Sequence, residues 1–181
     1  MVKGTKGEKN TGKRKRITPA AITFICTRDD VGSNDNGGKI MSYSVIYFSR
    51  TGTSRRIAEK IAKKLSVKPV EVTDNMDWDG ALGYMRAARH TLKNRDVTIQ
   101  IRGEVGNPDE YIVVTPMWCG KITPAIRKLL QEVPKDKVHL IVSSGGMNLK
   151  ERDGYLSVLD IMKREKNEDR LIDVFVSSLS K

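Results

Sequence analysis

The sequence predicts an α/β fold in which a five-stranded parallel sheet is covered by helices on both faces. Two observations carry this. From Ser42 onward, short apolar runs alternate with amphipathic segments of helical period. Three of those runs end in small polar segments, "SRTGTS", "TPMWCGKIT" and "SSGGMN". An open parallel sheet gathers its ligand-binding loops at such strand ends.

Tyr43 to Phe48 (YSVIYF) is a continuous apolar run, as a strand covered on both faces requires. Ile57, Ile61 and Leu65, with Ala58 and Ala62, form one helical stripe, and Arg55, Arg56, Lys60, Lys63 and Lys64 occupy the solvated face. "PVEVT" reads as the second strand. "WDGALGYMRAARHTLKN" reads as a second helix beginning near Asp79, weakened by two glycines. "YIVVTP", Tyr111 to Pro116, is the third strand. Thr123 as N-cap and Pro124 at the first helical position start the helix in "TPAIRKLLQEV". "KVHLIVSS" reads as the fourth strand, "GYLSVLDIMKRE" as a helix and "LIDVFVSSL" as the fifth strand. Right-handed crossovers then leave few arrangements.

The 181-residue chain suits one domain with a core, residues 42–181, preceded by an appendage, residues 1–41. Net charge is +11, but residues 1–40 hold nine Lys/Arg against four Asp/Glu, seven of the nine by Arg16. That segment is rich in Lys, Gly, Asn and Asp, and is expected to be a disordered basic extension on which the fold does not depend. Met41 stands as an alternative start directly before the first strand. A nucleic-acid contact would rest on this extension alone. "GEKNTGK" (Gly7 to Lys13) fits GxxxxGK, yet Arg14 replaces the magnesium-binding hydroxyl and no strand precedes it, so a P-loop is not expected. Two distant cysteines, Cys26 and Cys119, indicate neither a disulfide framework nor a zinc site, and fit a reducing, cytoplasmic setting. No apolar run reaches the roughly 18 residues of a membrane span, so no membrane insertion is expected.

The loop Ser49, Arg50, Thr51, Gly52, Thr53, Ser54 between the first strand and first helix follows S/T-x-T-G-x-T/S, and "TPMWCGKITPAIR" follows T-P-x-W-x-G with a helix opening P-x-x-R. With these two motifs, Ser42 to the C-terminus resembles the short-chain flavodoxin family over about 140 residues. "DWDGALGYMRAARHTLKNRDVTI" adds a W-x-G-x-x-G-Y-x-x-A pattern similar to that of an archaeal and clostridial branch. The resemblance implies a flavodoxin-like three-layer sandwich with strand order 2-1-3-4-5 and FMN where that order reverses; this order belongs to the family and is not read from the periodicity.

Residue chemistry points the same way. Successive N–H groups at a helix N-terminus, with hydroxyls from Ser49, Thr51 and Ser54, can neutralise a phosphate monoester without a metal. Gly52 permits close approach. The GxGxxG of a dinucleotide site is missing, so a mononucleotide fits better. Trp118, in a loop, offers a stacking surface that would disfavour the anionic reduced flavin. Backbone groups beside Pro116, Met117, Cys119, Gly120, Ser144, Gly145 and Gly146 would read the ring's polar edge. The family commonly covers the ring's other face with a Tyr from the third loop, which "SSGGMN" lacks, so that face is covered by Met147 or left open, with the distant Tyr155 a weaker candidate.

No side chain is assigned a catalytic role. Cys119 has no His or second Cys nearby in sequence, and His90 and His139 have no partner at catalytic spacing. The expected function is an FMN-dependent electron carrier between redox proteins, whose moderately basic domain would meet acidic partner surfaces. The alternative is an FMN-dependent NAD(P)H:quinone or flavin oxidoreductase.

Overall fold

The computed structural model describes residues 41–179. The basic extension, the GxxxxGK run and Cys26 lie outside the described residues. Elements follow in chain order: β1 (Tyr43–Tyr47), α1 (Thr53–Leu65), β2 (Val70–Asp74), α2 (Gly80–Leu92), β3 (Ile99–Arg102), β4 (Glu110–Trp118), β5 (Lys121–Ile122), α3 (Pro124–Leu129), β6 (Val138–Ser144), β7 (Ser157–Met162) and α4 (Glu168–Leu179).

The sheet runs β3-β2-β1-β4-β6-β7, with β5 attached to the end of β4, and so has seven strands where five were expected. Pairs β2-β1, β1-β4, β4-β6 and β6-β7 are parallel; β3 is an antiparallel edge strand on β2. β1 lies between β2 and β4, so chain order reverses at β1.

Alternation along the central strands builds two cores. Val45, Tyr47, Ile112, Val114 and Ile141 face α1 and α4, where Ile57, Ile61, Ile172 and Phe175 complete one cluster. Ile46, Phe48, Val113, Leu140 and Val142 face the other way, joined by Ala87 of α2 and Ala125, Ile126 and Leu129 of α3. Both faces are therefore dry, which is why these strands read as unbroken apolar runs.

The C-terminal third corrects two expectations. Ser157–Met162 is strand β7 rather than a helix, and Glu168–Leu179 is helix α4 rather than a strand. In α4, Leu171, Ile172, Phe175, Val176 and Leu179 turn inward, a spacing only a helix satisfies, and Glu168 and Asp169 occupy the first turn where the helix dipole favours acids. In β7, Leu140, Ile141 and Val142 of β6 pair with Val158, Leu159 and Asp160.

The basic face of α1 is only partly solvated. Arg56 pairs with Glu168, Lys60 with Glu168 and Asp169, and Lys64 with Asp173, at 2.6 to 2.8 Å, tying α1 to α4. Among the described residues, no helix is long and apolar enough to cross a membrane.

Candidate functional site

A cavity of about 400 Å³ opens at the C-terminal ends of β4 and β6, beside the reversal at β1. Four regions line it: Arg50 from the β1–α1 loop, Met117 and Trp118 at the end of β4 with Cys119 in the turn that follows, Ser144 at the end of β6 with Gly145 to Met147 after it, and Tyr84, Ala87 and Ala88 from α2. The loops expected to converge thus do so at this cavity.

The loop before α1 ends in Gly52, the N-cap, at φ 85° with no atom within 4 Å of where a Cβ would stand. No side chain caps α1. The first-turn N–H groups of Thr53, Ser54 and Arg55 precede the first intrahelical bond, Arg56 N–H to Gly52 C=O at 3.0 Å, and face outward with the positive end of the helix dipole. The three hydroxyls expected at this cradle are not equivalent. Ser49 Oγ accepts the Gly52 N–H at 3.0 Å and shapes the turn. Ser54 is buried and shares a 2.9 Å hydrogen bond with Ser143 Oγ, joining α1 to β6. Thr51 alone remains exposed.

"TPMWCG" is not an open loop. β4 runs through Trp118, turns at Cys119 (φ 52°) and Gly120 (φ 79°), and returns as β5, with Met117 opposite Ile122 and Trp118 opposite Lys121. Two successive positive φ angles in a two-residue connection mark the type I′ hairpin, whose twist matches its strands. Gly120 is buried under the Lys150 side chain, and its C=O accepts the Lys150 N–H at 3.4 Å. Gly120 and Pro116 therefore support the wall without lining the cavity. Thr115 and Thr123 share a hydroxyl bond at 3.0 Å, so Thr123 caps α3 by backbone position alone.

Trp118 is held from behind by two rings. Phe48 meets it edge-on at 5.9 Å and Trp78 at 5.2 Å. Trp78 donates its indole N–H to Asp74, at 2.8 and 2.9 Å to the two carboxylate oxygens, and His90 meets the Trp78 ring edge-on at 5.5 Å. Burial holds the Asp74 carboxyl above its ordinary range, opposed by the Trp78 and Met76 N–H bonds. His90 is pushed down by burial and by the neighbouring Arg95 and Arg86. Gly83 is what lets α2 sit here: a Cβ on it would fall 2.2 Å from the Trp78 carbonyl carbon.

At the end of β6, the Ser144 hydroxyl donates to Met147 C=O at 2.7 Å and closes a turn through Gly145 and Gly146. Gly146, at φ 157°, lies against the Arg164 side chain, where a Cβ would come within 2.9 Å. Asp160 anchors the rest of this loop through Leu149 N–H and Arg152.

Among the lining residues that the sequence motifs did not assign to the site, with Ala87 and Ala88, is Tyr84. Its ring stands on α2, with Arg50 5.8 Å from its centroid. The signal lay in the G-Y-x-x-A stretch, which places Tyr84 and Ala87 one turn apart. Tyr155 instead lines a second cavity of about 230 Å³ behind β5. His139 bridges Glu110 and Ser157 at 2.8 and 2.7 Å and lies outside the cavity lining, a structural role.

Solved structures share this architecture. The chain is similar to the crystal structure of a flavoprotein in complex with FMN from Lactobacillus acidophilus NCFM, at 21% identity over 73% of this chain and 99% of that one, with a TM-score of 0.55. A protein from Bacteroides eggerthii DSM 20697, classed with the flavoproteins, matches at 19% identity over 78% and 99%, with a TM-score of 0.63. The apo form of the Lactobacillus flavoprotein gives 21%, 72%, 99% and 0.52. At these identities the likeness is one of fold, and that fold is flavodoxin-like. No family model and no curated protein sequence matches the chain.

Proposed function

We propose that this chain with a flavodoxin-like fold binds FMN and serves as an electron carrier between redox proteins. One observation carries the reading: a cavity lined by an indole and a phenol adjoins an uncapped helix N-terminus where the strand order reverses. The similar Lactobacillus structure, crystallised with FMN, supports the choice of ligand.

The residues present fit that group. The first-turn N–H groups of α1 and the Thr51 hydroxyl would hold the phosphate, with Gly52 leaving the approach open. Trp118 and Tyr84 would enclose the ring, and the backbone at Gly145 and Gly146 would meet its polar edge. When bound, FMN accepts and returns one or two electrons. The protein's part is to orient it, exclude water and set the surrounding charge. The alternative, an NAD(P)H-dependent oxidoreductase, needs an open ring face for a second planar substrate; a Tyr84 ring in the cavity lining supports the carrier. The reducing cytoplasm is the setting proposed, from the sparse cysteines.

Fluorescence titration tests the ligand. FMN is expected to bind with its emission quenched by Trp118, and riboflavin, which lacks the phosphate, more weakly by a factor of about ten or more. Equal affinity for the two would exclude the α1 N-terminus as a phosphate site, and no binding of either would overturn the function. Mixing the FMN-loaded protein with NADPH is expected to leave the flavin oxidised; rapid direct reduction would favour the enzyme.

A further inference from the structure

Seven large apolar side chains are exposed among the described residues, and four of them, Leu82, Tyr84, Met85 and Leu92, stand on α2. Leu82, Met85 and Leu92 are 75%, 66% and 60% exposed and form, with Arg89, a stripe opposite the buried Gly83, Ala87 and Thr91. Tyr84 and Ala88 occupy the flank between this stripe and the cavity. Met147, also exposed, extends the apolar surface from the loop after β6.

Charge on the helix is one-sided. α2 contains Arg86 and Arg89 and no carboxylate, Lys93 and Arg95 follow it, and Arg50 reaches over the Tyr84 ring. The nearest acids in sequence, Asp77, Asp79 and Asp96, lie beyond its ends. Apolar side chains gathered on one face mark an interaction site, and the cations around them select against basic partners. A second copy docked through the same face by two-fold symmetry would bring these arginines together.

We infer that the outer face of α2, with Met147, docks an acidic electron-transfer protein against the mouth of the cavity. This rests on the carrier reading above, because a partner seated on the stripe lies beside the ring that Tyr84 would cover. Leu82 and Met85 supply the contact that excludes water, and Arg89 and Arg86 supply attraction and orientation.

The test uses the isotope-labelled full chain, with and without FMN, titrated with an acidic ferredoxin as probe and basic cytochrome c as control. FMN titration comes first: a chain that does not bind FMN overturns the carrier reading by itself. Ferredoxin at low salt is expected to shift the amide resonances of residues 82–92 and to lose affinity as salt rises. Met85→Glu/Arg89→Glu, both at exposed positions, is expected to weaken ferredoxin binding about tenfold or more while leaving FMN affinity unchanged. Shifts confined to other elements, equal binding by the double variant or preference for cytochrome c would overturn the inference. So would self-association that the double variant abolishes, or tighter binding to phosphatidylserine vesicles than to ferredoxin.

Discussion

Trp78 meets Trp118 edge-on, ring centroids 5.2 Å apart and planes inclined by 67°, while its N–H is held by Asp74 at 2.8 Å. The cavity wall is thus braced from the end of β2. Trp78→Phe keeps a ring but strips the donor from a half-buried carboxylate, and is expected to cost about 1 to 3 kcal/mol in urea unfolding at neutral pH. The pH dependence has a definite sign. Burial raises the folded-state pKa of Asp74 above 3.8, so the cost of keeping it charged applies at neutral pH and is relieved as pH falls through that raised value. The deficit of Trp78→Phe is therefore expected to shrink in acid; a deficit independent of pH would place its origin in packing alone.

Gly83→Ala sets two effects against each other. Alanine improves helix propensity by about 1 kcal/mol, but its Cβ would lie 2.2 Å from backbone that cannot rotate away. Overpacking of this kind costs about 1 to 3 kcal/mol, so the clash is expected to win. A lowered melting temperature together with weaker FMN binding, as displaced Trp78 shifts Trp118, is the expected outcome.

Glu168 receives Arg56 at 2.6 Å and Lys60 at 2.8 Å. The Arg56 hydrogen bond, above all, holds its carboxyl below the ordinary 4.5. A depressed pKa contributes stability above 4.5 that is lost as pH falls through the folded-state value. Glu168→Gln is accordingly expected to cost about 1 kcal/mol at pH 7, and the gap to the parent protein is expected to close in acid denaturant titrations.

Thr51→Asp places a charge where the phosphate would sit. FMN affinity is expected to fall about tenfold or more, with riboflavin affinity little changed. A comparable loss for both ligands would indicate damage to the loop rather than repulsion.

Cys119 adopts φ 52° directly before Gly120. Asn tolerates that conformation better than Cys, and Asn-Gly is the preferred pair for this turn. Cys119→Asn is expected to raise the melting temperature by a few degrees and to leave FMN binding unaffected.

Much of the layout was legible because strands buried on both faces leave uninterrupted runs, as at Tyr43 to Phe48 and Tyr111 to Pro116. The exchange of β7 and α4 has a physical cause. Leu156, Leu159 and Met162 are three apart and imitate a helix, whereas Val, Ile and Phe crowd the true helix and raise its strand propensity. The inward spacing of Leu171, Phe175 and Leu179, with acids at the start, is the overriding signal. β3 also carried a signal: Ile99 and Ile101 are half-buried while Gln100 and Arg102 are exposed, the alternation of an edge strand. At the site, Arg50, Met117, Trp118 and the Ser144 to Gly146 turn, which motif spacing singled out, line the cavity. That spacing could not tell that Ser54 turns towards Ser143, which depends on how layers pack, and the G-Y-x-x-A stretch marked Tyr84 and Ala87 as neighbours without placing them at the cavity.

The two sides of the cavity differ in how firmly they are attached. Trp118 ends a strand whose Ile112, Val113, Val114 and Thr115 are wholly enclosed, whereas α2 rests on the small residues Gly83, Ala87 and Thr91. One wall is hard and the other soft, so a planar guest is expected to enter by α2 lifting rather than by the hairpin opening. Without ligand, amide exchange in α2 should outpace that in β4 by orders of magnitude, and FMN should slow the helix while leaving the strand as it was.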